Sequence, residues 1–133
     1  MSKKPRTPLV TPCPCDSGLD YRQCCAPFHD GQPAPTPQAL MRSRYSAYTL
    51  GLTPYLMDTW APETCPPDLD AHTAPQPKWL GLEVKEETQT GDTGTVRFIA
   101  RGKIGGRAFR LEELSRFVRR EGRWLYVDGD ISE

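Results

Sequence analysis

The 133-residue sequence holds only two histidines, His29 and His72, and none from Trp79 to the C-terminus. That absence, with no recognisable spacing of nucleophile and base, weakens the case for an enzyme. Neither sign of charge prevails, since 17 Lys and Arg face 17 Asp and Glu. Global charge therefore steers the chain towards neither nucleic acid, nor an anionic membrane, nor acidic substrates. No apolar run approaches the roughly 18 residues that a bilayer-spanning helix needs. The opening MSKKPRTPLV runs into proline and cysteine rather than into the apolar centre of a signal peptide. A soluble, cytoplasmic protein without membrane contact is the expectation. Hydrophobic residues, at 37%, are too many for a disordered chain yet few for a globular one, and 14 prolines explain part of the deficit. The length suits one domain with a small appended module.

Against that background the cysteines stand out, because four of the five, Cys13, Cys15, Cys24 and Cys25, crowd into thirteen residues. Adjacent Cys24 and Cys25 would compete for disulfide partners, and nothing indicates an oxidising compartment. Four soft sulfur ligands suit tetrahedral zinc, with Ser17 and Gly18 turning the chain between the two pairs. Four thiolates around Zn2+ leave about two negative charges, which backbone N–H groups or Arg22 would offset. Such a closed site is structural, since catalytic zinc keeps a position open for water. His29 stands as the alternative fourth ligand should both adjacent cysteines fail to reach the metal. Cys65, alone in a proline-rich loop, reads as an ordinary thiol.

Residues 1–12 read as a flexible arm, residues 13–31 as the metal module and residues 32–36 as an extended proline-rich linker. After it, Thr36 caps a helix that starts at Pro37 and stops at Gly51. A second helix is expected to begin with Thr53 as its cap and to end before Pro62. The segment from Glu63 to Lys78 reads as an irregular crossing loop with a turn after Pro66. Alternation then predicts strands. Leu80, Leu82 and Val84 oppose Gly81, Glu83 and Lys85, and Val96, Phe98 and Ala100 oppose Arg97, Ile99 and Arg101. RAFRLEELSRFVRR fits either a third strand or a helix, and WLYVDGDI closes the series as a strand, with Asp128 a candidate turn anchor.

The phrase CPCDSGLDYRQCC resembles the SEC-C motif, a short zinc-binding module also found at the C-terminus of the SecA translocation motor. In that motif the last ligand is Cys or His. LMRSRYSAY, the tryptophan ending the second helix, ELSRFV and GRWLYVDG resemble the uncharacterised bacterial YchJ family. The resemblance implies an α+β chain, in which a SEC-C zinc knuckle precedes a cone-like nuclear transport factor 2-like (cystatin-like) domain over residues 37–133. Its N-terminal helices would pack on a bent antiparallel sheet, which favours strand for the third segment. In the family a histidine precedes the glutamate that matches Glu113. Here Glu112 occupies that place, so no role of that histidine carries over.

If the third segment is a strand, Leu111, Glu113, Ser115 and Phe117 share one face, and Glu112, Leu114, Arg116 and Val118 the other. Glu113 beside Arg42, Arg44 or Arg116 is the candidate polar centre of a pocket, with a structural ion pair as the plainer reading. Arg42 and Arg44 point about 200° apart on a helix and cannot easily face one ligand. The tryptophans and Tyr45, Tyr48 and Tyr126 read as core. The leading expectation is a binding or adaptor protein whose knuckle meets a protein or a ribosomal or other RNA partner, the N-terminal third being locally basic through Lys3, Lys4, Arg6 and Arg22. The alternatives are an enzyme or small-molecule binder using the cone, and a zinc ion that merely fastens the N-terminus to the domain.

Overall fold

The structure, a computed structural model, describes residues 11–67 and 77–132. A turn follows Pro66 at Pro67, as expected; the arm as far as residue 10 and the rest of the crossing loop, residues 68–76, lie outside the described residues.

The chain begins with a knuckle. Pro12 bridges Asp20 in antiparallel fashion, the Cys13 N–H donates to the Leu19 carbonyl at 2.9 Å, and the Tyr21 N–H to the Thr11 carbonyl at 2.8 Å. Between these strands Asp16 (φ 65°) and Gly18 (φ 87°) take left-handed conformations, which reverse the chain in few residues. Asp20 then caps a 3-10 turn, Tyr21–Gln23, and helix α1 follows at Ala26–His29.

Helix α2, Pro37–Leu50, forms where the capping signals place it. The Thr36 hydroxyl accepts from the Ala39 N–H at 3.0 Å, and Pro37 needs no hydrogen-bond partner at the first turn. Gly51 ends the helix at φ 73°, a region closed to most side chains. Helix α3, Thr53–Asp58, differs from expectation at its start. Leu52 takes the cap position, Thr53 is the first helical residue, and no side-chain hydrogen bond caps the helix.

Four strands make an antiparallel meander in the order β1 (Lys78–Thr90), β2 (Thr93–Ile104), β3 (Arg107–Arg120) and β4 (Arg123–Ser132). The ambiguous third segment is therefore strand, paired on both sides from Glu112 to Val118. Bulges at Trp79/Gly81, Val84/Glu86 and Arg116/Phe117 bend the sheet and raise its twist. Residues 59–61 run beside β4, with the Tyr126 N–H donating to the Thr59 carbonyl at 2.8 Å and the Ala61 N–H to the Tyr126 carbonyl at 2.7 Å. That contact protects an edge otherwise open to pairing.

Val96, Phe98 and Ala100 face inward as their alternation predicts, together with Leu82. Leu80 does not, being 53% exposed, because the bulge at Trp79/Gly81 shifts the phase and turns Trp79 inward in its stead. Ile99 faces outward yet is buried. Glu83 and Glu112 flank it across the sheet and pair with Arg101 at 3.7 Å and Arg97 at 3.5 Å, so the stems of these long side chains cover it.

Leu40 and Met41 of α2 join Leu82, Val96, Phe117 and Trp124 of the sheet in the main core. Cys13, Cys15 and Cys25 belong to the same cluster. The knuckle is thus built into the domain rather than held out on a linker, because α2 offers it one of its faces.

Candidate functional site

The four sulfurs of Cys13, Cys15, Cys24 and Cys25 all lie within 4.8 Å of one another. Bonds of about 2.3 Å to a tetrahedral ion require sulfurs about 3.8 Å apart. The Cys15–Cys24 separation is 3.5 Å and the Cys24–Cys25 separation 3.9 Å, so the set can hold one metal ion. A hydrogen bond with Cys25 and one from Ser17 pull the Cys15 thiol down to about 4, whereas burial lifts Cys13 to about 11. Its hydrogen bond with Cys15, then burial, pushes Cys25 up as well. Hydrogen bonds and burial thus hold Cys13, Cys15 and Cys25 in uneven states, and a positive ion at their centre favours the thiolate in each.

Ser17 Oγ lies 3.1 Å from Cys24 Sγ, and Arg42 donates to the Cys15 carbonyl at 3.0 Å. Arg22, expected near the sulfurs, instead points outward to Asp20 at 3.4 Å. Two further bonds seat the knuckle. The Leu82 N–H donates to the Asp16 carboxylate at 3.3 Å, and His29 Nε2–H donates to the Ser43 carbonyl at 2.8 Å. That bond fixes the tautomer, so His29 Nδ1 accepts from the Tyr21 hydroxyl at 2.6 Å. Both ring nitrogens are engaged away from the sulfurs, and burial pushes the imidazole pKa down, which keeps it neutral. Cys25, not His29, thus completes the group of sulfurs that could hold a metal ion, and His29 braces the knuckle against α2.

A second site lies on the other face of α2, in a cavity of about 340 Å³ between that helix and the concave sheet. Its walls are mostly apolar, through Met41, Phe98, Ala100, Leu111 and Phe117. Glu113 enters it from β3. Its Oε2 accepts from the Ser115 hydroxyl at 2.6 Å and from the Tyr126 hydroxyl at 3.2 Å. Gly129 makes room for this carboxylate, since a Cβ there would stand 2.3 Å from Glu113 Oε2. Glu113 is therefore held as an acceptor in a cavity of ligand size rather than sealed in an ion pair.

Arg44 is the cation of this cavity, 5% exposed, with its guanidinium 4.8 Å from the Trp60 ring centre and 4.7 Å from that of Tyr126. It donates through Nη1 to the Leu56 carbonyl at 2.8 Å and to Thr59 Oγ1 at 2.7 Å. Burial lowers its pKa, while the surrounding tyrosines act the other way. The 200° divergence of Arg42 and Arg44 is realised, one serving the knuckle and the other the cavity.

The other pocket candidates are elsewhere. Arg42 faces the metal module, and Arg116 lies on the outer face, bound to Asp128 at 2.6 Å and Asp130 at 3.0 Å. Strand alternation explains Arg116, since its neighbours Ser115 and Phe117 take the inner face. Asp128 is a strand residue rather than a turn anchor. Residue-level reading missed Ser115, Tyr126 and Gly129 as partners of Glu113; Tyr45, read as core, is buried in the main cluster with Tyr126 packed against it, and both also line the cavity with Tyr48 and Trp60. The one signal was Gly129 itself, a glycine inside a strand, which marks a close approach. Cys65 donates to its neighbour's carbonyl at 3.6 Å and has no part in either site.

A four-cysteine module built onto an α+β domain of helices and one antiparallel meander defines a class, SEC-C proteins with a nuclear transport factor 2-like domain. Residues 11–27 match the SEC-C motif, and residues 36–129 match the middle NTF2-like domain of YchJ. The chain belongs to the YchJ family, whose curated members are UPF0225 proteins. The UPF0225 protein RSc0270 of Ralstonia nicotianae is 54% identical over 90% of this chain and 91% of its own. That of Cupriavidus metallidurans is 56% identical over 92% and 90%. Among solved structures, a SEC-C motif containing protein from Rhodopseudomonas palustris is 35% identical, with a TM-score of 0.82 over 92% of this chain and all of that one. Another from Psychrobacter arcticus is 28% identical, with a TM-score of 0.75 over 93% of this chain and 83% of its own. Among the described residues no helix is long and apolar enough to cross a membrane.

Proposed function

We propose that this is a small-molecule-binding protein of the cytoplasm whose working site is the cavity, and whose knuckle is fastened to the domain by a structural zinc ion. Zinc suits the donor set, since four thiolates select a soft or borderline ion and close its coordination sphere. A closed sphere leaves no position for substrate, which moves any ligand chemistry to the other side of α2. The observation that carries the reading is Glu113. A carboxylate drawn into an apolar cavity loses hydration, and three features offset that loss or make space for it, namely Ser115, Tyr126 and the bare backbone of Gly129. Structural ion pairs need no such cavity. Glu113 Oε2 is bound by the protein, and Oε1 supports recognition of a donor on the ligand.

Filling the cavity tests the reading. Ala100 is buried in its wall, so Ala100→Leu narrows it with an apolar side chain. Mass spectrometry of small molecules that co-purify with the zinc-loaded chain should find a compound lost from Ala100→Leu. Identical small-molecule content in both proteins would sink the proposal.

A second reading, that the knuckle also meets a protein or RNA partner, is favoured by its outer turn, where Leu19 and the Arg22 side chain are 53% and 73% exposed. Leu19→Asp combined with Arg22→Glu should change the set of bound macromolecules, and an unchanged set rules this reading out.

A further inference from the structure

Resting on the cavity reading, we infer that the ligand is a small organic acid of about one-ring size that carries a hydroxyl or amino donor at its other end. The first argument is charge. None of the ion pairs among the described residues includes Arg44, although it is buried and lines the cavity. Two aromatic faces, one carbonyl and one hydroxyl stabilise the guanidinium, yet none of them carries a negative charge. A buried cation of this kind is stabilised most by a carboxylate, which the ligand supplies.

The second argument is an orphaned donor on the same wall. Trp60 lines the cavity, covers the Arg44 guanidinium, and keeps its indole Nε1–H buried with no acceptor among the described residues. Buried N–H groups normally find an acceptor, and this one, on the residue that covers Arg44, is a donor a ligand oxygen can meet. Tyr48, another wall residue, adds a hydroxyl next to the guanidinium.

The third argument sets the far end of the ligand. Tyr126 covers Arg44 with its ring and donates its hydroxyl to Glu113, so one phenol separates the cationic point from the anionic one. A ligand of similar length spans both, with its acid at Arg44 and its donor at Glu113. The volume agrees, since an apolar cavity of about 150 Å³ holds benzene and this one, at about 340 Å³, admits a substituted ring.

The test uses the full zinc-loaded chain with three probes, 3-hydroxybenzoate, its uncharged isostere 3-hydroxybenzamide, and benzoate. Binding is read from the indole N–H resonance of Trp60 in NMR titrations. The acid should bind about tenfold more tightly than the amide, as expected when a charge-assisted pair replaces a neutral one. Arg44→Met should bring the two to within about twofold of each other. Glu113→Gln should weaken 3-hydroxybenzoate relative to benzoate, which lacks the donor. Equal affinity for acid and amide in the unmodified protein overturns the ligand class while leaving the cavity as a binding site. Failure of all three probes to move cavity resonances at about 10 mM overturns the ligand class, whereas the cavity reading falls only on the Ala100→Leu comparison. The comparison of isosteres needs no variant, so a misfolded Arg44→Met does not remove the test.

Discussion

At the scale of single residues, the two sites are separated by the choices of a few side chains. His29 has the chemistry of a zinc ligand, but Tyr21 and the Ser43 carbonyl occupy its two nitrogens. His29→Gln should therefore leave one zinc ion per chain, at a cost of about 1–3 kcal/mol in stability from the buried partners it leaves unpaired. Cys25→Ser should lose most of the metal. Metal analysis of the two purified variants checks this, and zinc loss in His29→Gln would return the imidazole to the coordination sphere. Glu113 makes the same point for the cavity. Gly129→Ala drives a Cβ into the carboxylate, which swings aside because it is the end of a flexible side chain. The expected stability loss is about 1–2 kcal/mol, from the broken bonds to Ser115 and Tyr126, with a much larger loss of ligand retention. Full retention of the co-purifying ligand by Gly129→Ala would show that Glu113 does not touch it.

Helix α2 does more than any other element to organise the molecule. One face carries Leu40, Arg42 and Ser43 to the knuckle and core, and the other carries Met41, Arg44, Tyr45 and Tyr48 to the cavity. Its N-terminus rests on Thr36, so Thr36→Ala should destabilise the chain by about 1 kcal/mol in urea unfolding, with an unchanged m-value. Thr36→Asn should recover most of that loss, and an Asn variant as unstable as the Ala one would argue against a capping role. This helix was legible because Thr36, Pro37 and Gly51 are local signals, each read without knowledge of the fold. The strands were legible by alternation, but Leu80 was misplaced because a bulge resets the phase and leaves no mark in composition. Arg116 went wrong for the opposite reason. The extra residue of the bulge beside it, Val127, lies on β4, so β3 itself alternates regularly, and alternation already placed Arg116 opposite Glu113. The metal quartet was plain from spacing, whereas the cavity was not, since it depends on what α2 and the bent sheet leave unfilled between them. No residue pattern records such a space. Glu113 was found through its charge on an apolar face, and Ser115, Tyr126 and Gly129 became visible only with the strand register.

For the whole molecule, the decisive relation is between metal and domain. Cys13, Cys15 and Cys25 are nearly inaccessible to solvent and pack in one cluster with Leu40, Val96, Phe117 and Trp124. A knuckle tethered by a linker would lose its fold on chelation and leave the domain untouched. Here, loss of a bound ion would leave the thiols of Cys13, Cys15 and Cys25 uneven in protonation inside the main core, beside the helix that bounds the cavity. Their charge and packing defects then fall on α2, and through it on the sheet. A metal chelator should therefore lower the melting temperature of the entire chain in a single transition, seen alike in far-UV circular dichroism and in the fluorescence of Trp124, which is buried far along the sequence from the cysteines. An ion held by the folded quartet stabilises only that state, so the shift should grow with chelator strength and reverse on adding the metal back. Loss of structure confined to residues 11–31, with Trp124 still melting at its original temperature, would show the module to be thermodynamically separate. The same titration should weaken ligand retention before the sheet melts, since Met41, Arg44 and Tyr45 reach the cavity from the helix that the metal module braces.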